Sequence, residues 1–75
     1  MYNKIVLAVV HNVLNAHGKP VTGKTNFKSL GATPADVNWV LFETEQRLRI
    51  QLPEVGITPE STINDLLKSV VKNHD

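Results

Sequence analysis

No cysteine occurs in the 75 residues of this chain, and that absence narrows the available folds more than any other feature. Small domains without a large core are commonly stapled by disulfides or by a thiolate-bound metal. Neither device is open here. Residues 1–75 are read as a single domain, because a chain of this size forms one at most. Such a domain buries only about 60% of its unfolded surface. Its core must come from aliphatic packing, which 41% apolar residues can supply. Two-domain enzymes, α/β barrels and dinucleotide folds are excluded by length.

Charge points the same way. The net charge of +1 is too small to draw in a nucleic acid or a membrane by bulk electrostatics, and it leaves self-association easy. The longest apolar run near the start, Ile5 to Val10, is too short for a bilayer span or a secretory leader. A soluble, cytoplasmic protein of a reducing compartment is expected, with no nucleic-acid or membrane partner.

Three segments carry the helical period. Tyr2, Ile5, Val6, Val9, Val10, Val13 and Leu14 form one stripe, closed by Gly18 as a candidate left-handed cap and by Pro20. Thr33-Pro34-Ala35-Asp36 reads as a helix start: Thr33 as N-cap, Pro34 at the first helical position, Asp36 as the acidic half of a capping box. That helix is predicted to reach Leu48, with Val37, Val40, Leu41, Thr44 and Leu48 facing the core. Thr62 with Asp65 opens the last helix, whose stripe is Ile63, Leu66, Leu67, Val70 and Val71, with Lys68 and Lys72 near its C-terminal end. Residues 19–32 form a long loop in which Phe27 and Leu30 are expected to plug the core and Gly31 to make a turn. Ile50, Leu52, Pro53, Val55, Gly56 and Ile57 form a second irregular segment, Pro59 starts a short helical turn, and residues 73–75 fray. The pattern predicts an all-α helical bundle.

Chemical motifs are sparse. Gly18 to Thr25 reads G-K-P-V-T-G-K-T and matches a phosphate-binding loop. Such a loop needs a strand before it and a helix after it; the flanks predict neither, so nucleotide binding stands as a third reading only. His11, His17 and His74 lack metal-ligand spacing, and Ser29, Ser61 and Ser69 show no paired base. Glu43 and Glu45 cannot face one another at i, i+2. No catalytic or metal site is expected; the chain reads as a non-enzyme. The informative feature is the second helix. At ~100° per residue, its core stripe leaves Ala35, Trp39, Phe42 and Gln46 on the opposite side. Either the helix is buried all round or Trp39 folds over against a loop, or else this second apolar face binds a partner, since Trp is enriched at binding hot spots.

The order of these pieces resembles the acyl carrier protein family. Val21-Thr22-Gly23-Lys24-Thr25-Asn26-Phe27 followed by Leu30-Gly31-Ala32 is similar to the family's V-T-x-x-x-x-F and L-G-x-D-S-L. Glu45-Gln46-Arg47-Leu48 and Ile50-Gln51-Leu52-Pro53 resemble the end of helix two and the loop beyond. Thr62-Ile63-Asn64-Asp65-Leu66 resembles the family's T-V-x-D-L. The likeness spans roughly residues 3–72. It implies an acyl-carrier-like four-helix bundle: three main helices, one short helix and a long first loop. It also implies a phosphopantetheine arm on the serine of D-S-L. In register, Thr33 takes the aspartate place, Pro34 the serine place and Ala35 the leucine place. Proline has no hydroxyl to esterify, so no cofactor-binding residue is carried over and no cofactor is expected. The family's helix two shows partners an acidic face. Here Trp39 and Gln46 replace two acidic places, Asp36, Glu43 and Glu45 remain, and Arg47 and Arg49 dilute them; Phe42 holds a place that often touches partners. The expected role is protein binding through Ala35, Trp39, Phe42 and Gln46, toward an acyl- or polyketide-processing enzyme of fatty acid or polyketide biosynthesis, or as a homodimer. The alternative is a working carrier whose phosphopantetheine sits on a nearby hydroxyl, Thr33 or Ser29.

Overall fold

The computed structural model describes residues 2–15, 18–52 and 56–73, with Tyr2 described in its backbone only. The described chain holds α1 (Tyr2–Leu14), α2 (Pro34–Leu48) and α3 (Ile63–Asn73), with a short 3-10 turn at Lys28–Leu30 in the first loop. It is a small all-α domain with a radius of gyration of 10.9 Å. Among the described residues there is no strand, only an isolated antiparallel bridge between Asn26 and Thr62. The α1 helix packs against both α2 and α3. His17, Pro53, Val55, His74 and Asp75, and the side chain of Tyr2, lie outside the described residues.

Each helix begins for a local reason. The Thr33 hydroxyl accepts the Asp36 amide at 3.2 Å, while the Asp36 carboxylate accepts the Thr33 amide at 3.0 Å. Pro34 fills the first helical position, where no amide is needed. Thr62 and Asp65 repeat the reciprocal pair at the start of α3, at 2.9 and 3.2 Å. The end of α1 differs from expectation. Asn15 enters the left-handed region first, at φ 51°, and Gly18 follows at φ 85° beyond the helix. Asparagine tolerates this conformation better than most residues with a side chain, so the helix can stop before the glycine. At the end of α2, Arg49 is left-handed (φ 56°) and its amide returns to the Glu45 carbonyl.

The first loop is far more ordered than its composition implies. It runs antiparallel to the segment that leads into α3: the Phe27 amide donates to Ser61 O at 3.1 Å and the Lys28 amide to Pro59 O at 2.6 Å. Further along, the Ile63 amide donates to Thr25 O at 2.9 Å and the Asn64 amide to Gly23 O at 2.8 Å. The last two matter most, because amides in the first turn of a helix have no partner within it. Loop carbonyls supply those partners. The approach is close at Gly23, where a Cβ would come within 2.3 Å of Asn64 Oδ1. The expected helical turn at Pro59 is a hydrogen-bonded turn from Thr58 to Ser61, closed at 2.9 Å.

The seam seats Phe27 at the centre of the core, fully buried with Val6, Val9, Val10, Val37, Val40, Ile63, Leu66 and Val70. Leu30, Ala32 and Leu52 close it from the loops. Thr44 is buried as well; its hydroxyl donates to the Val40 carbonyl at 2.8 Å, which removes the cost of burying a polar group. Leu41, Leu48 and Leu67 pack on the core at its edge. Val71, expected in the core stripe, is 62% exposed. It points ~105° away from the direction shared by Ile63, Leu66 and Val70, outside the narrow face that α3 turns to α1.

Gly31 adopts φ +84° immediately after the 3-10 turn. Gly31→Ala is therefore expected to cost about 1 kcal/mol, and Thr33→Ala about 1 kcal/mol through loss of the cap, both read by urea unfolding. The Asp65 carboxyl is held below its ordinary value, chiefly by the Thr62 amide, with further help from the Thr62 hydroxyl and the Lys68 ammonium. A depressed folded pKa means that the charged form favours the folded state. Its contribution is present above the unfolded pKa and lost as pH falls through the folded one. Asp65→Asn should accordingly flatten the fall in stability between roughly pH 5 and pH 3, measured as midpoint against pH.

Candidate protein-interaction surface

The buried side of α2 is set by Val37, Val40 and Thr44. At ~100° per residue, Ala35, Trp39, Phe42 and Gln46 lie roughly 130–170° from the middle of that side. All four are exposed. Trp39 is 54% exposed and Phe42 45%. The two rings stack on one another, with centroids 5.4 Å apart and planes inclined by 23°. The alternative expectation, a helix buried all round, therefore does not hold for this face. One turn of helix separates the rings, so their contact is local and does not link α2 to any other element.

The charged residues three or four positions from either ring are Asp36, Glu43 and Glu45. Asp36 is fixed by the capping box. Glu45 is turned toward the loop beyond the helix, where its Oε2 accepts the Leu52 amide at 2.6 Å. This second tie at the end of α2 was not foreseen from sequence, because nothing in the i, i+7 spacing marks it. Glu43 lies 3.9 Å from Arg47 Nε in a partly exposed pair, a weak interaction at most.

The start of α2 is where the acyl-carrier resemblance leads one to expect an attachment serine. A groove of about 530 Å³ lies there, lined by Lys28, Ala32, Thr33, Pro34, Thr58, Pro59 and Glu60. Pro34 offers it no hydroxyl. The Thr33 hydroxyl is held by the Asp36 amide. The Ser29 hydroxyl donates to the Asn26 carbonyl at 2.7 Å, and the Ser29 amide donates to Asn26 Oδ1 at 2.8 Å. Both alternative attachment oxygens are thus engaged in local structure.

The phosphate-loop reading of Gly18 to Thr25 meets contrary geometry. The segment follows α1, not a strand, and runs into the 3-10 turn at Lys28–Leu30. Three of its amides are already used: Thr22 N donates to Thr25 Oγ1 at 2.9 Å, Lys24 N to Thr22 Oγ1 at 3.2 Å and Thr25 N to Thr22 O at 3.1 Å. A phosphate cradle needs those donors free. His11 lies half-buried near the end of α1. Among the described residues no three His, Cys, Asp or Glu side chains gather as metal ligands. No helix there is long and apolar enough to cross a membrane.

Comparisons of the chain with protein-family models, with curated proteins and with solved structures return no match.

Because the rings lie outside the core, Trp39→Ala and Phe42→Ala should each shift stability by no more than about 1 kcal/mol, whereas Phe27→Ala should cost about 3–5 kcal/mol. Urea unfolding followed by far-ultraviolet circular dichroism distinguishes the two outcomes.

Proposed function

We propose that this chain is an acyl-carrier-like helical bundle without a phosphopantetheine site, and that it works as a protein-interaction module through the outer face of α2. The observation that carries this reading is the stacked, exposed Trp39–Phe42 pair on a helix whose opposite side is fully committed to the core. A small domain whose core is already complete has no folding reason to keep two large aromatics in water; exposed apolar clusters of this kind serve contact. The acyl-carrier part rests on the order and spacing of the V-T…F, L-G-A and T-I-N-D-L segments, and on a helix start that falls where the family places its serine. The turn from Thr58 to Ser61 occupies the region of the family's short third helix. The partner is an acyl-processing enzyme or a second copy of the chain, and the role is not catalytic.

The reading in which Thr33 or Ser29 carries the arm is weakened by the hydrogen bonds that both hydroxyls make. Incubation with coenzyme A and a broad-specificity phosphopantetheinyl transferase is expected to leave the intact mass unchanged. A gain of one phosphopantetheine would replace the proposal by a working carrier. The double variant Trp39→Ala/Phe42→Ala is expected to keep its helical spectrum and to lose its partner. Retention of the partner by the folded variant would move the binding surface elsewhere.

A further inference from the structure

The net charge of +1 is the sum of two unlike parts. Residues 1–35 carry four lysines and no Asp or Glu, and the acidic residues begin at Asp36. The fold sets two of those lysines beside two more from the far end of the chain. Val71, 62% exposed, and Leu67 floor a groove of about 360 Å³ on α3, edged by Lys68 and Lys72. Leu67 is shared with a hollow of about 140 Å³ that reaches Leu7 of α1 and Gly23 of the first loop. The two run together as one furrow between α1 and α3. At ~100° per residue, Lys4 stands about 60° beyond Leu7 on α1, away from the core stripe, and so marks the other rim. Lys24 follows Gly23 in the loop, and both Lys4 and Lys24 are exposed. These lysines are not paired off. Among the described residues the one ion pair within 4.0 Å joins Glu43 to Arg47 on α2, and α1 contains no acidic residue. On α3 the one acidic residue is Asp65. Its carboxylate accepts the Thr62 amide and its charge is felt at Lys68. It lies ~120° round the helix from Val71.

From this arrangement we infer that the α1–α3 side docks on a membrane surface bearing anionic lipids, with Val71 and Leu67 against the acyl boundary and Lys4, Lys24, Lys68 and Lys72 among the headgroups. The inference is independent of the reading of α2, which uses another helix. A lysine stem can lie along apolar surface while its ammonium stays with the headgroups, which is how an interfacial helix carries both kinds of residue on one side. That mixture favours lipid over nucleic acid. Nucleic-acid contacts draw on arginine forks and on aromatic rings that stack with bases. Here Arg47, Trp39 and Phe42 belong to α2 and Arg49 to its C-terminal cap. The near-zero net charge does not oppose docking. The Debye length is about 10 Å at 0.1 M salt, so a surface senses chiefly the side turned toward it. The longest extent of the domain is 32 Å. The contact is peripheral, since among the described residues no helix is long and apolar enough to cross a membrane.

Co-sedimentation of the full chain with large vesicles tests the docking. Phosphatidylcholine vesicles with about one-third phosphatidylserine are expected to bind the chain at least ~10-fold better than phosphatidylcholine alone at about 0.1 M salt, and to release it at about 0.5 M. Lys68→Gln/Lys72→Gln should weaken the partition about 20-fold, at about 5-fold for each lysine. Val71→Asp should weaken it as well. Both variants should keep their helical spectra, because all three side chains are exposed. Trp39→Ala/Phe42→Ala should bind vesicles as the parent chain does, which separates this inference from the α2 reading. Equal binding to both kinds of vesicle, or none to either, overturns the docking. Binding undiminished in Lys68→Gln/Lys72→Gln overturns the assignment to the α1–α3 side. Tighter binding to single-stranded DNA than to the anionic vesicles overturns the lipid surface as the partner.

Discussion

The amides that open α3 find their acceptors in the first loop, and most of the architecture depends on that junction. Thr25 and Gly23 present carbonyls to Ile63 and Asn64, while the Phe27 and Lys28 amides return to Ser61 and Pro59. A loop rich in Lys, Gly, Thr and Asn has little apolar surface with which to order itself. Here it is ordered by backbone groups that a helix N-terminus must satisfy in any case. The same register places Phe27 between α1, α2 and α3, where a large ring fills volume that the valine-rich stripes cannot reach. Without a disulfide or a thiolate-bound metal, a domain of this size relies on such coupling: one seam closes a helix end, fixes a long loop and completes the core.

The start of α2 joins folding to function in a different way. Thr33, Pro34 and Asp36 make a strong helix start because each removes an unsatisfied group or a conformational freedom. The proline that stabilises the start is also the residue that removes the hydroxyl a carrier would need. On the proposed reading, the chain keeps the helical frame of a carrier and has exchanged the covalent arm for a better-formed helix. What is left to α2 is its surface.

That surface is defined by what the core does not use. Val37, Val40 and Thr44 satisfy the packing of α2, so Trp39 and Phe42 stack on each other instead of on a neighbouring element. The carboxylates near them are held by backbone amides, Asp36 at the Thr33 amide and Glu45 at the Leu52 amide. Glu45 is thereby drawn toward the loop beyond the helix, while Glu43 lies beside Arg47. On α3, Lys68 and Lys72 lie beside Leu67 and Val71.

The sequence by itself determined the helices, because periodicity and capping are local. The α2 stripe, the α1 positions Val6, Val9, Val10, Val13 and Leu14, the two Thr–Asp boxes and the Pro34 start were legible from residues a few positions apart, and so was the aromatic face opposite Val37 and Val40. The tertiary structure decided whatever depends on partners distant along the chain. It ordered the first loop against the segment before α3, drew Glu45 to the Leu52 amide and buried Ala32. It also left Val71 in water, although its spacing suits a core stripe, because the contact between α3 and α1 is narrower than the apolar arc of the helix. It placed the left-handed turn at Asn15 ahead of Gly18. Local pattern specifies which side of a helix is apolar; only packing specifies how much of that side another element covers.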